Sequence, residues 1–267
     1  MSDPVHPDTG GRGDTMLSRI RSELRAALDL TRQAFLSPGA APVVLASALL
    51  LIWQYYGYPS TYRYTLSNYF DTGSWEPIAD SLYWTASNVV MLLAIPLVAA
   101  RLFWGKKPRQ LGLGLGNWRL GLSATAIFYV IMIPFVLFAS TQAEFIGTYP
   151  LDTDLRLAIM RGDPDVSRLF WVYEVGYAFF FVGWEFFFRG FLLFLLEPIL
   201  GPVAIAVQMM PFALLHLGKP IAESVGSILA GGLLGVLAWR TRSIWYCAAI
   251  HACVAITMDM IVYFRAF

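Results

Sequence analysis

Four ionisable side chains of this sequence, Glu185, Arg189, His216 and His251, sit in apolar stretches where charge is expensive. Glu185 and Arg189 stand four residues apart in Gly183-Trp184-Glu185-Phe186-Phe187-Phe188-Arg189-Gly190, inside an apolar run from Leu169 to Leu200. On a helix, positions i and i+4 are neighbours, so the carboxylate and the guanidinium can reach each other. At bilayer depth ionisable groups turn toward a partner or a water-filled cavity. The pair is therefore either a buried ion pair that satisfies itself or a carboxylate held ready to activate water. His216 and His251 lie in Pro211-Phe212-Ala213-Leu214-Leu215-His216 and in Ala248-Ala249-Ile250-His251-Ala252-Cys253, two further apolar stretches. A single histidine on an apolar helix is commonly a hydrogen-bonded core residue. Two of them at the depth of a carboxylate are a different matter.

That common depth follows from the rise of a helix. Leu200-Gly201-Pro202 reads as a turn, with Glu185 before it and His216 after it by equal numbers of residues. At ~1.5 Å per residue both stand roughly 22 Å above that turn on adjacent antiparallel helices. Thr241 reads as the turn between the last two helices, and His251 lies roughly 15 Å beyond it by the same rise. Three helices thus deliver a carboxylate and two imidazoles to one slab of the membrane.

The elements that must position them are membrane helices. The chain has 267 residues, 57% of them hydrophobic and 14% charged, with mean hydropathy +0.59. Such apolar runs identify an all-α, polytopic membrane protein. Seven spans are expected, at about 40–58, 82–104, 118–139, 167–197, 201–217, 222–240 and 243–264. Pro134 is a potential kink, and Gly231 and Gly235 make a small face for close helix approach. Residues 1–14 have a disordered composition. Residues 16–36 carry Arg19, Arg21, Arg25 and Arg32 among apolar residues, the pattern of an amphipathic helix on a membrane surface. The expected organisation is 1–37 as tail and interfacial helix, 38–104 as two spans, and 105–267 as a core. A formal net charge of +1 gives no footprint for nucleic acid. Lys and Arg concentrate before the first span, after the second and after the sixth, so the positive-inside rule puts the N-terminus in the cytoplasm. Cys247 and Cys253 share one helix on largely opposing faces and are not expected to bond.

Glu185 with Arg189, then Phe212 with His216, then His251, in that order, resembles the CAAX-protease and bacteriocin-processing (CPBP, or Abi) intramembrane endopeptidases, relatives of the prenyl-protein endoprotease. The loop Gln110-Leu111-Gly112-Leu113-Gly114-Leu115-Gly116-Asn117-Trp118-Arg119 looks like a hallmark of the same family, and the likeness covers about residues 105–262. The resemblance implies a glutamic endopeptidase of a cell membrane, in bacteria the inner membrane, acting on a membrane-associated or lipidated protein or peptide. It implies Glu185 as general base, His216 as the group that orients water, His251 on the oxyanion side and Arg189 as the residue that fixes the carboxylate. Two departures stand out. The family's first motif begins with two glutamates, and Trp184 occupies the place of the first. Its third motif ends in Asn, and Ala255 stands there. A non-catalytic relative that binds a membrane peptide or stabilises a partner is therefore the alternative.

No cofactor is expected. Zinc is the minority reading, because one Glu and two His form a plausible ligand set to which Cys247 could add a fourth, although no His-Glu-x-x-His helix is present. Lys219 and Glu223 are expected to pair. Glu174 is a candidate for lining an access path, Gln208 and Asp259 have no assigned partner, and the Phe179–181 and Phe186–188 triplets read as packing and lipid-facing surface.

Overall fold

The structure is a computed structural model that describes residues 15–266; the expected tail at 1–14 lies outside the described residues. Among the described residues nine principal helices carry the chain. They are α1 (Met16–Leu36), α2 (Ala40–Tyr56), α3 (Gly73–Trp104), α4 (Trp118–Ala139), α5 (Thr153–Arg161), α6 (Val166–Leu200), α7 (Val203–Leu214), α8 (Ile221–Thr241) and α9 (Trp245–Ala266). No strand occurs among the described residues. Two compact units are present, residues 1–41 and residues 42–267.

In the first unit, the Thr15 side chain caps α1 by accepting from the Ser18 amide. Leu17, Ile20, Leu24, Leu28 and Phe35 follow a helical period and are all exposed. The helix spans the residues expected of it.

In the second unit, five helices are long and apolar enough to cross a membrane, or up to six in the whole chain. Seven apolar helices stand where seven spans were expected, but α7 has only 12 residues. It reaches about 18 Å against a hydrocarbon core of ~30 Å, too short to cross alone; α2, with 17 residues, is also shorter than the five. Pro211 sits inside the last turn of α7. The core centres on α6, whose most apolar window is 89% buried. α6 packs on α3 and α9, and α7 packs on α8. The α7–α8 contact uses the small face foreseen at Gly231 and Gly235. A Cβ on Gly231 would lie 3.0 Å from Met209 and Phe212, and one on Gly235 would lie 2.7 Å from the Gln208 amide.

The phenylalanine triplets prove to be core. Phe186, Phe187 and Phe188 are wholly buried, as are Phe180 and Phe181 to within a few per cent, and only Phe179 is exposed. The glycine-rich loop docks on the turn between α8 and α9: the Asn117 amide donates to the Thr241 carbonyl, and the Ile244 amide donates to the Gly112 carbonyl. The Tyr246 hydroxyl and the Trp245 indole N–H donate to the carbonyls of Leu115 and Leu113. At Gly116 (φ +52°) a Cβ would collide with the Thr241 carbonyl, which is why the loop has glycine there. Cys247 and Cys253 are both free.

Outside the spans, Asp152 caps α5 by accepting from the amides of Asp154 and Leu155, and accepts from the Ser81 hydroxyl at 2.5 Å. Burial, reinforced by the nearby Asp80, pushes its carboxyl up to about 6. A carboxyl raised on folding favours the folded state while it is protonated and loses that advantage as pH rises through the raised value. Asp152→Asn keeps the cap and removes the ionisation. It should raise the melting temperature well above pH 6 and leave it nearly unchanged below about pH 4; thermal unfolding across that range checks this. In the interior, Gly231→Leu should destabilise by about 1–3 kcal/mol by overpacking the α7–α8 contact, read in the same assay.

Candidate functional site

α6 is one continuous helix with a change of pitch at the site: α-helical to Glu185, π-helical over Phe186–Leu192, α-helical again from Leu193. Such wide turns are rare and recur at functional sites. The i→i+5 pattern brings side chains four apart more nearly into line, and Arg189 Nη1 stands 3.1 Å from Glu185 Oε2. Both side chains are fully buried. The contact is one of charge rather than a well-aligned hydrogen bond, and Oε2 has no hydrogen-bond partner among the described residues. The guanidinium lies over the Phe212 ring at 4.0 Å, a cation–π contact, and its Nη2 donates weakly to the Gly231 carbonyl at 3.5 Å. Gln208 donates to the same carbonyl at 2.9 Å and to that of Ile205. Gln208, unassigned in the sequence, thus helps fix the segment on which Arg189 rests.

α9 brings His251 to the opposite side of the carboxylate. His251 Nδ1 and Glu185 Oε1 are 2.7 Å apart. A carboxylate only accepts, so Nδ1 carries the proton and Nε2 is left free to accept. The imidazole stacks on Phe181 at 4.2 Å between centroids. Its side chain keeps 19% exposure while Glu185 and Arg189 have none. Of the three polar groups in contact, the imidazole alone reaches accessible space.

His216 lies in the turn just after α7, not within a span. Its ring is nonetheless fixed from α7, since Nδ1 is 2.8 Å from the Phe212 carbonyl. A carbonyl also only accepts, so here too Nδ1 donates and Nε2 is left as the acceptor. The Ser224 hydroxyl donates to the His216 carbonyl at 2.7 Å and ties the turn to α8. The His216 and His251 rings are nearly parallel (18°) with centroids 6.3 Å apart, and His216 is within electrostatic reach of Glu185. All four residues singled out by sequence therefore meet, and Phe212 touches the other rings and the guanidinium at the centre.

The two departures have visible consequences. The Trp184 indole stands 6.2 Å from the His216 ring, packed with Trp53, Phe180 and Phe188. The side where a second carboxylate would project is filled by an aromatic ring. Ala255 is a buried methyl. Asp259 is buried within electrostatic reach of Glu174 and makes no hydrogen bond to the site among the described residues. Glu174 itself is buried at 3% exposure, so it lines no open path. Lys219 and Glu223 pair at 2.7 Å as expected. The Cys247 thiol donates to the Leu234 carbonyl. Among the described residues no three His, Cys, Asp or Glu side chains gather as a metal-ligand set.

Sequence reasoning passed over Asn88. It is wholly buried on α3, and its Oδ1 lies where a Cβ on Gly183 would project, at 2.1 Å. A polar residue within the second expected span was the available signal. A groove of about 290 Å³, lined by Leu50, Leu51, Gln54, Tyr58, Leu214, Leu215 and Leu217, runs along the turn that carries His216.

Residues 167–257 match the family model described as type II CAAX prenyl endopeptidase Rce1-like. That stretch runs from the start of α6 to past His251 and includes all four residues. No curated protein and no solved structure matches the chain.

Removing one member of a buried ion pair strands the other charge. Arg189→Met should therefore cost about 3–5 kcal/mol, and the double change Glu185→Gln with Arg189→Met should recover most of it. Thermal unfolding of the purified protein in detergent measures both; equal destabilisation in the single and double variants would show that the pair is not held by charge.

Proposed function

With residues 167–257 belonging to the CAAX protease family, we propose that this multi-pass membrane protein is an intramembrane endopeptidase that hydrolyses a peptide bond in a membrane-associated protein or peptide. The observation that carries the reading is the Glu185–His251 hydrogen bond at 2.7 Å, buried on the carboxylate side and accessible on the imidazole side.

The sequence resemblance gave the base role to Glu185. Its Oε1 is engaged by His251 and its charge is balanced by Arg189. The proton-accepting atom in the proposed reaction is therefore His251 Nε2, and Glu185 is the carboxylate that holds the imidazole in the required tautomer. This is the division of labour in any carboxylate–histidine pair. His216 Nε2, an acceptor while the ring is neutral, takes a hydrogen bond from the water and aims it. As the water oxygen adds to the carbonyl carbon, its proton passes to His251 Nε2 and the positive charge that forms is stabilised by Glu185. The new N–H of His251 then delivers that proton to the departing amine as the C–N bond breaks. Water and peptide give one acid and one amine, and the site returns to its starting state. Arg189 holds the carboxylate and takes no proton.

An extended substrate must reach the site from the lipid. The apolar groove between α2 and the turn at residues 214–217 supports entry beside His216. The arginine-rich segment ahead of α2 supports a cytoplasmic N-terminus.

One observation favours a second reading. Trp184 fills the position expected of another carboxylate and crowds His216, as it would in a relative that binds a membrane peptide without cutting it.

Comparing the membrane proteomes of cells carrying the wild-type chain or Glu185→Gln separates the two. Uncleaved precursors should accumulate with Glu185→Gln, with turnover reduced by about 10³-fold or more and the protein still inserted. Identical proteomes would leave the binding role. His251→Ala should be equally inactive and regain part of its turnover with added imidazole, whereas Glu185→Gln should not respond. Turnover that survives His251→Ala unaided would return the base role to Glu185. Activity unchanged by a chelator would set aside the zinc reading.

A further inference from the structure

α6 and α9 are joined by a second polar rung that the proposed reaction does not use. Glu174 lies on α6, about 16 Å before Glu185, and Asp259 lies on α9, about 12 Å after His251. The helices run antiparallel and pack on each other, so the two offsets bring these carboxyl groups to nearly one level, within electrostatic reach of each other. Glu174 is 3% exposed and Asp259 is not exposed at all. Ring pairs close the rung at both ends: Phe170 stacks on Tyr263 at 4.3 Å, and Phe181 stacks on His251 at 4.2 Å.

None of the four carboxyl oxygens finds a donor among the described residues. A carboxylate offers acceptors only, so two that face each other form a hydrogen bond only when a proton lies between them. Both ionised in this apolar setting would be unpartnered like charges, a costly arrangement that carboxylate pairs relieve by sharing a proton. A further observation points to the same place. The Tyr173 hydroxyl is also buried and also without a partner, and it lies within the electrostatic reach of both acids.

We propose that Glu174 and Asp259 form a proton-binding site, a carboxyl dyad whose ligand is a hydrogen ion held between α6 and α9. The bound proton is the fastener between the two helices that carry Glu185 and His251, and it fixes their register one level away from the reacting groups. Other charged and titratable groups face the dyad from every side. Tyr173 and Tyr177 come from α6, and Tyr263 comes from α9. Lys219 and Glu223 come from the start of α8 and the turn before it, and Arg156, Asp152 and Tyr149 come from α5 and the segment ahead of it. Lys219 is already paired with Glu223, and Arg156 donates to the carbonyls of Thr148 and Pro150. Neither cation makes an ion pair with the dyad among the described residues.

Infrared spectroscopy of the full-length protein in lipid nanodiscs tests this without reference to proteolysis. At neutral pH the wild type should show the C=O stretch of a protonated carboxyl, and isotope-labelled aspartate should shift it. The double variant Glu174→Gln with Asp259→Asn preserves an amide pair of the same shape and should lose the band. Glu185→Gln should keep it. A band absent from the wild type, or one that survives the double variant, overturns the proposal. Loss of the band on adding sodium or calcium to the wild type also overturns it, because the ligand would then be a metal cation. If the double variant does not fold, the aspartate label in the wild type decides the matter alone: a shifted band supports the dyad and an unshifted one overturns it.

Discussion

The constraint on which the rest of this structure depends is the cost of keeping Glu185 and Arg189 away from water. Each charge is fully buried, and taking either into a low-dielectric interior is repaid only through close, oriented partners. The neighbouring sequence supplies them from four directions. Arg189 neutralises the carboxylate from within the wide turn of α6, and His251 donates to it from α9. Phe212 offers a ring face to the guanidinium from α7, and the Gly231 carbonyl on α8 accepts from it. A glycine at 231 lets α8 come near enough for that carbonyl to be reached. The packing of α6, α7, α8 and α9 is in this sense arranged around two charges. A buried ion pair contributes little to stability compared with well-packed apolar residues, so stability gives a poor account of why this one is present. The reaction proposed above gives a better one, since an imidazolium forming at His251 requires a carboxylate that is already ionised and already aimed.

Much of this was legible in the sequence, and the parts that were not share a physical cause. The spacing of Glu185 and Arg189, the level of His216 and His251, the small face of α8 and the separation of the cysteines all follow from helix geometry, which depends on one chain segment at a time. Hydropathy identified where helices lie but not which faces meet protein. In a membrane, lipid-facing and core-facing side chains are equally apolar, so the Phe186–188 triplet carried no mark of its complete burial. The fate of Glu174 was hidden for a related reason. Its partner is set by the register of α6 against α9, a quantity no single helix encodes. The shortness of α7 was obscured because the apolar pattern continues through Leu214, Leu215 and Leu217, beyond the point where the helix ends.

The turn that follows α7 has its own significance. A histidine inside a crossing helix is held by its neighbours along the axis. His216 instead sits where the backbone leaves the helix, with its ring fixed by the Phe212 carbonyl and its own carbonyl fixed by Ser224. The ring is thereby held beside the carboxylate site, while its chain neighbours Leu215 and Leu217 line the groove. A short helix is a practical way to achieve this, since irregular backbone at membrane depth is tolerated only where protein or a cavity surrounds it.

Trp184 is the residue against which the enzyme reading must be argued. Its ring occupies the flank of His216 that a second carboxylate would use, and it is held there by Trp53, Phe180 and Phe188. Such a ring cannot accept a proton, so any hydrolysis here must run on a single carboxylate. One carboxylate suffices if it is not itself the base. In the proposed reaction Glu185 orients and charge-balances the imidazole and the far nitrogen takes the proton, a division of roles that the 2.7 Å Glu185–His251 contact supports. Trp184 in the place of a second acid is thus compatible with the proposed reaction, which runs on the one acid–imidazole pair present.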